Sequence, residues 1–289
     1  MNVRRADKII TAMETRDGAG VRLRRSLGQS QTARHDPFLL LDEFNSDNPD
    51  DYIAGFPSHP HRGFETVTYM LDGRMLHEDH LGNRGELKPG GVQWMTAARG
   101  IIHSEMPQQV DGLLRGFQLW INLPAKMKMN QANYRDIPPD EVPAAKLPGG
   151  GQAHVIAGVF TTDQGSTTGA VAESATDVLY VDLRLTPGEV LDCQLPPTNN
   201  AMLYVHTGDA RTGPEDAEKS IHRSQAVLLA SGDRLRIQAG DDGAGILLLS
   251  AEPIGEPVVQ HGPFVMNTSE EIKQAMRDYR DGTLVEGRG

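Results

Sequence analysis

Short apolar runs, each closed by a turn signal, dominate the chain from residue 21 to 123. "ETVTYML" (65–71) is rich in β-branched and aromatic residues and ends at Asp72-Gly73, a dipeptide suited to a tight hairpin turn. "RMLHEDHL" stops at Gly82-Asn83, "VQWMTA" at Arg99-Gly100 and "IIHSEM" at Pro107. In "FQLWINL", Phe117, Leu119, Ile121 and Leu123 alternate with Gln118, Trp120 and Asn122, the period of a half-buried strand. Strands at this spacing predict an antiparallel sandwich or barrel. Residues 125–152 are rich in Pro, Gly and charge without an apolar period, and read as a linker in which only Tyr134 and Ile137 are candidates to pack. A second β series follows, from "AHVIAGVF" to "GILLLSAEP", in a similar rhythm, as an internal duplication would give. Aligning Gly208 with Gly73 sets His59 against Gln194 and His61 against Pro196, so the second half lacks the paired histidines of the first.

The tail changes period. "TSEEIKQAMRDYRDG" (268–282) opens with a capping box, Thr268 and Glu271, and carries Ile272, Ala275, Met276 and Tyr279 at helical spacing before Gly282. The expected organisation is all-β: an N-terminal barrel over 1–124, a linker over 125–152, a C-terminal barrel over 153–266, and a short helix and tail over 267–289.

Composition narrows the function classes. The 289 residues carry a net charge of -11, which repels phosphate backbones and disfavours direct nucleic-acid binding. The densest basic stretch, "VRLRRSLG" (21–28), reads as a strand with one wet face. A single cysteine, Cys193, excludes an intrachain disulfide and a multi-thiolate metal site, and leans towards a cytoplasmic location. The basic N-terminus has no apolar stretch after it, and no run reaches the roughly 18 apolar residues of a membrane span.

The chemistry is carried by histidines. Residues i and i+2 of a strand share a face, so His59 and His61 in "FPSHPHRGFE" can converge on one ion. The same spacing recurs in "GIIHSEMP", as His103 and Glu105. Three neutral imidazoles and a carboxylate suit a divalent first-row metal, with iron, nickel, copper, manganese and zinc all open on ligand type. Four ligands on one side of an octahedral ion leave two positions for water, substrate or O₂, whereas a closed structural zinc more usually recruits cysteines. Glu65, four residues after His61, is a rival ligand. His77 and His80, in "HEDH", read as exposed turn residues, and His35, His154, His206, His222 and His261 as unpartnered structural ones.

At these residues the sequence resembles the pirin family of the cupin superfamily. The resemblance is carried by "FPSHPHRGFETVTYMLDG", "HED", "QWMTAARGIIHSEMP", "QLWINLP" and the tail "GPFVMNTSEEIKQAMRDY". His59, His61 and Glu65 also follow the broader cupin spacing H-x-H-x₃-E. The family implies two cupin barrels, with iron in the N-terminal one only. It implies His59, His61, His103 and Glu105 as the ligands, with Glu65 behind them.

The resemblance also implies an activity like that of quercetin 2,3-dioxygenases, which open a flavonol with O₂ and release CO. The partners would then be a flavonol-like aromatic substrate and O₂. Glu105 would be the general base, and a labile ligand as well. Pirins are linked to regulation too. The alternative expectation is therefore an iron-binding, redox-responsive protein that binds a protein partner, and a third is a metal cupin with other chemistry.

Overall fold

The structure, a computed structural model, describes residues 2–30 and 33–285. It divides into two compact units. The first comprises Met13–Arg34, Phe38–Pro139 and the chain from Ile254 onward; the second comprises the chain up to Ala12, His35–Pro37 and Asp140–Pro253. As expected, the described residues are β-rich with one α-helix near the C-terminus, Ser269–Arg280. Among the described residues, no helix is long and apolar enough to cross a membrane.

These units do not follow the boundaries read from the pattern, because each terminus folds into the unit built mainly from the other half of the chain. Near the N-terminus, Ala6–Thr11 pairs antiparallel with Gln225–Leu229. Near the C-terminus, Phe264, Met266, Ile272 and Ala275 pack into a cluster that includes Ile102. The presumed linker is also structured. Asn133–Ile137 pairs with Val92–Thr96, and Ala144–Lys146 with Gln152–Ala157. Their five and three residues are too short to show an apolar period, so edge pairing rather than patterning makes them strands.

The first unit is a sandwich of a seven-stranded and a four-stranded sheet. The larger sheet runs Asn133–Ile137, Val92–Thr96, Phe64–Asp72, Leu114–Asn122, Phe38–Ser46, Val21–Leu27, Met13–Asp17. The smaller runs Phe56–His61, Ile101–Pro107, Met75–Asp79, Arg84–Leu87. Alternation along these strands aims Leu23, Phe44, Met70 and Leu114 of one sheet at Met75 and Leu87 of the other, in one buried cluster. Asp72-Gly73 makes a tight turn, with Gly73 at φ 80°, but not the expected hairpin. Phe64–Asp72 pairs with Leu114–Asn122 and Val92–Thr96, while Met75–Asp79 pairs with Ile101–Pro107 and Arg84–Leu87. The turn therefore carries the chain from one sheet to the other, a choice set by strand pairing and not by the dipeptide.

The C-terminal helix has the predicted capping box, with Thr268 Oγ1 accepting from the Glu271 amide. Its stripe is narrower than expected: Ile272 and Ala275 are buried, while Met276 and Tyr279 are each 44% exposed. The segment braces the strand end that carries His61. The buried Arg62 guanidinium donates to Asp278 at 2.6 Å and to the Leu284 carbonyl, and its Nε donates to the Arg99 carbonyl. Buried Lys128 similarly ties the carbonyls of Gly63 and Val265 to the Asn122 amide oxygen.

In the second unit two long strands, Asn200–Thr212 and Arg234–Ala251, lie side by side. Arg234–Gln238 pairs with Val190–Gln194, and Ala244–Ser250 with Leu179–Leu185. Its interior is filled by side chains such as Val181, Leu183, Leu203, Val205, Leu235 and Ile246, with Cys193 among them. No second group of convergent metal-ligand side chains occurs among the described residues.

Candidate metal centre

Two neighbouring strands of the smaller sheet set the candidate residues face to face. His103 pairs directly with His59, and Ile101 with His61. The three imidazoles converge, with ring centroids 4.7, 4.3 and 5.0 Å apart. One ring nitrogen from each of His59, His61 and His103 lies within 4.8 Å of the other two. His61 and His103 are buried and His59 is half-buried.

The hydrogen bonds of these rings decide where their lone pairs point. His59 Nδ1 lies 2.8 Å from the Pro57 carbonyl oxygen, so it carries the proton and Nε2 is left as a lone pair. That nitrogen is 3.1 Å from His61 Nε2. His103 Nε2 is buried with no hydrogen-bond partner, which costs about 1–3 kcal/mol in a metal-free protein. A cation at the convergence point would satisfy it, so the donor set fits a divalent metal.

Electrostatics point the same way. Burial, and then the neighbouring imidazoles, push His61 and His103 well below the ordinary histidine pKa. Both are therefore neutral in the fold and gain a proton on unfolding below about pH 6.5. Their contribution to stability is complete above that pH. It is lost as pH falls, at about 1.4 kcal/mol per pH unit for each histidine, until the folded pKa is reached. Urea midpoints of metal-free protein are expected to drop between about pH 7.5 and about pH 5.5, and to drop less in a His61→Ala/His103→Ala variant.

Glu105 is placed differently from the three histidines. A bulge interrupts the ladder after His103, and the next pair is Glu105 with Phe56. The buried carboxylate then reaches the facing sheet, where Oε1 accepts from Thr68 Oγ1 at 2.8 Å and Oε2 from Gln118 Nε2 at 3.0 Å. It does not join the group of atoms within 4.8 Å of one another. The structure thus brings together three of the four residues expected as ligands and sets Glu105 beside them. Glu65 lies on the opposite face of its strand from Thr68, where Oε1 accepts from Thr96 Oγ1 at 2.6 Å and burial raises its pKa.

Several other histidines sit otherwise than the sequence suggests, among them His222, whose Nδ1 lies 3.1 Å from Asp209 Oδ1, and His35, whose Nε2 lies 3.1 Å from the Ala201 carbonyl oxygen. His77 is 0% exposed and lies in a strand, not in an exposed turn. Its Nδ1 is 3.3 Å from His103 Nδ1 and its Nε2 is 3.3 Å from Asp79 Oδ2. Tyr134, from the presumed linker, stacks on its ring at 4.3 Å. The signal was available in the sequence, since His77 and Asp79 have the same i, i+2 spacing as His59 and His61. His206, expected to be unpartnered, pairs through Nε2 with Asp182 at 2.9 Å. His80 is half-buried, with Nδ1 accepting from the Ile102 amide.

A cleft of about 810 Å³ opens onto His59 and His61, within the range of about 300–1,000 Å³ usual for small-molecule sites. Leu40, Phe56 and Trp120 form an apolar part of its wall, and Arg25, Asp42 and Gln118 a polar part. Arg25 grips Asp42 with two bonds of 2.8 and 2.7 Å. Burial pushes the Asp42 carboxyl up to about 6 against those bonds.

Two β-rich units, one with an apolar interior and one with three histidines converging beside a cleft, define a two-domain cupin with a single candidate metal centre among the described residues. Comparison with known proteins narrows this class. The profile for Pirin matches residues 20–121, and that for the Pirin C-terminal cupin domain matches residues 180–285. The chain is 56% identical to a Pseudomonas aeruginosa protein provisionally named a quercetin 2,3-dioxygenase, over 93% of each chain. It is 40% identical to human pirin, over 94% of this chain and 91% of that one. A crystal structure of quercetin 2,3-dioxygenase from Acinetobacter baumannii superposes with a TM-score of 0.87 at 29% identity, covering 98% of both chains. The chain belongs to the pirin family.

Proposed function

We propose that the protein is an iron-dependent dioxygenase that opens flavonols such as quercetin with O₂ and releases CO. The observation that carries this reading is the set of three imidazoles converging beside a cleft with apolar and polar walls. It is supported by the names of the relatives, since both the Pseudomonas and the Acinetobacter proteins are called quercetin 2,3-dioxygenases, the first provisionally. His59, His61 and His103 would hold the metal. Bound Fe(II) would supply Lewis acidity towards the substrate hydroxyl and electrons for the reaction with O₂.

The remaining roles belong to the chain itself. Leu40, Phe56 and Trp120 would hold the flat rings of the substrate and keep water away. Glu105 would take the 3-hydroxyl proton at Oε2, the oxygen bonded to Gln118, whose side chain lines the cleft. Each carboxylate oxygen keeps a second lone pair beyond its bond to Thr68 or Gln118. Glu105 can therefore accept a proton, or serve as the labile fourth ligand, without releasing either neighbour. The buried, unpaired Cys193 is consistent with the cytoplasm as the proposed location.

The test is anaerobic iron loading followed by O₂ uptake and CO release with quercetin, for wild type and His59→Ala. Uptake and CO release in wild type that vanish in the variant are expected. Bound iron without turnover would reject the dioxygenase and favour a redox-responsive binding protein.

A further inference from the structure

We infer that Asp79 and His77 are positioning residues that set which nitrogen of His103 carries its proton, and so whether that ring can bind a metal at all. The inference rests on the metal-centre reading above. It starts at the Asp79 side chain, which is fully buried in the hairpin joining Met75–Asp79 to Arg84–Leu87. Asp79 Oδ1 accepts from the backbone amides of Leu81 and Asn83, at 2.9 and 3.0 Å. Oδ2 accepts from Asn83 Nδ2 at 2.8 Å and lies 3.3 Å from His77 Nε2. Burial alone would raise this carboxyl, but the bonds from His77 and Asn83 hold it below the ordinary aspartate value.

The proton order then follows link by link. An ionised carboxylate only accepts, so the His77 proton sits on Nε2 and its Nδ1 is a lone pair. That lone pair faces His103 Nδ1 at 3.3 Å, which must therefore be the donor. With the proton on Nδ1, His103 Nε2 is the lone-pair nitrogen, and it is the buried atom without a partner. Both nitrogens of His77 are engaged, so it is not itself a ligand. Its ring is held by Tyr134, stacked on it at an interplanar angle of 22°. That close packing depends on Gly85, the cross-strand partner of His77, where a Cβ would collide with Tyr134 and Asp136.

Asp79→Asn separates orientation from mere packing. The two backbone amides keep the new amide oxygen at the Oδ1 position, which leaves its NH₂ facing His77 Nε2. Two donors cannot face each other, so the His77 proton moves to Nδ1 and points at His103, whose own proton is displaced to Nε2. The ring then presents N–H where the metal should bind.

Two readouts test this on the full-length protein. In metal-free samples, long-range ¹H–¹⁵N correlation should place the His103 proton on Nδ1 in wild type and on Nε2 in D79N. Competition with a chelator for Ni²⁺ should show affinity falling about 10–100-fold in D79N and in His77→Leu, the usual cost of losing a ligand's outer hydrogen-bond partner. His77→Gln, which keeps a donor and an acceptor, should recover most of the loss. The inference is overturned if D79N binds Ni²⁺ as wild type does. It is equally overturned if D79N loses affinity with the His103 proton still on Nδ1, since that would be a packing effect. Wild type with the proton on Nδ1 but no Ni²⁺ uptake would uphold the proton order and reject the metal-centre reading instead.

Discussion

His103→Ala is expected to leave the protein folded and without metal. The variant removes one of the three convergent rings, whose free nitrogen is buried without a hydrogen-bond partner, so two imidazoles remain, and two ligands do not hold an ion in a useful geometry. Affinity for a divalent metal should fall more than about 100-fold, beyond the 10–100-fold typical of losing only an outer partner. Stability without metal should change little by comparison. The variant opens a cavity and strands His77 Nδ1, but it also removes a buried nitrogen that cost about 1–3 kcal/mol. Metal analysis after gel filtration, with a urea melt of each metal-free protein, checks both parts. Retention of one ion per chain would mean that the ligands lie elsewhere.

Glu105→Gln should do the reverse, keeping the metal while stopping the reaction. Glutamine has nearly the same shape. Its carbonyl can accept from Thr68 as Oε1 does now, and a flip of the Gln118 amide restores the other bond. The lost property is the ability to take a proton, and general-base catalysis contributes about 10²–10⁴-fold. A fall in kcat of that size, with iron content near that of wild type, is the expected result. Full turnover in the variant would remove Glu105 from the chemistry. Loss of iron alongside turnover would make it mainly a ligand.

Much of this centre is legible in the sequence because strand geometry is local. The i, i+2 spacing that sets His59 beside His61 needs no knowledge of the rest of the fold. The capping box at Thr268 is legible for the same reason, since both partners lie within one turn. What escapes the sequence is decided by pairing across long separations. Nothing in "ADKIIT" announces that it will pair with residues more than two hundred positions away. Likewise, nothing in "NYRDI" shows that Tyr134 will cover His77. His77 is hidden because "HEDH" has the polarity of a turn. The strand runs through Asp79 and buries His77, while its neighbour Glu78 faces solvent. Glu105 shows the limit of the i, i+2 rule: the bulge after His103 breaks the register, and the carboxylate bonds to the facing sheet.

If a metal at the three histidines drives oxygenation, turnover must follow the iron that the protein holds. This is tested most directly by loading the protein with graded amounts of Fe(II) under argon, then measuring CO release from quercetin against iron content. The expected result is a rate proportional to iron, passing through the origin and saturating at one ion per chain. CO release that does not depend on iron content would contradict it.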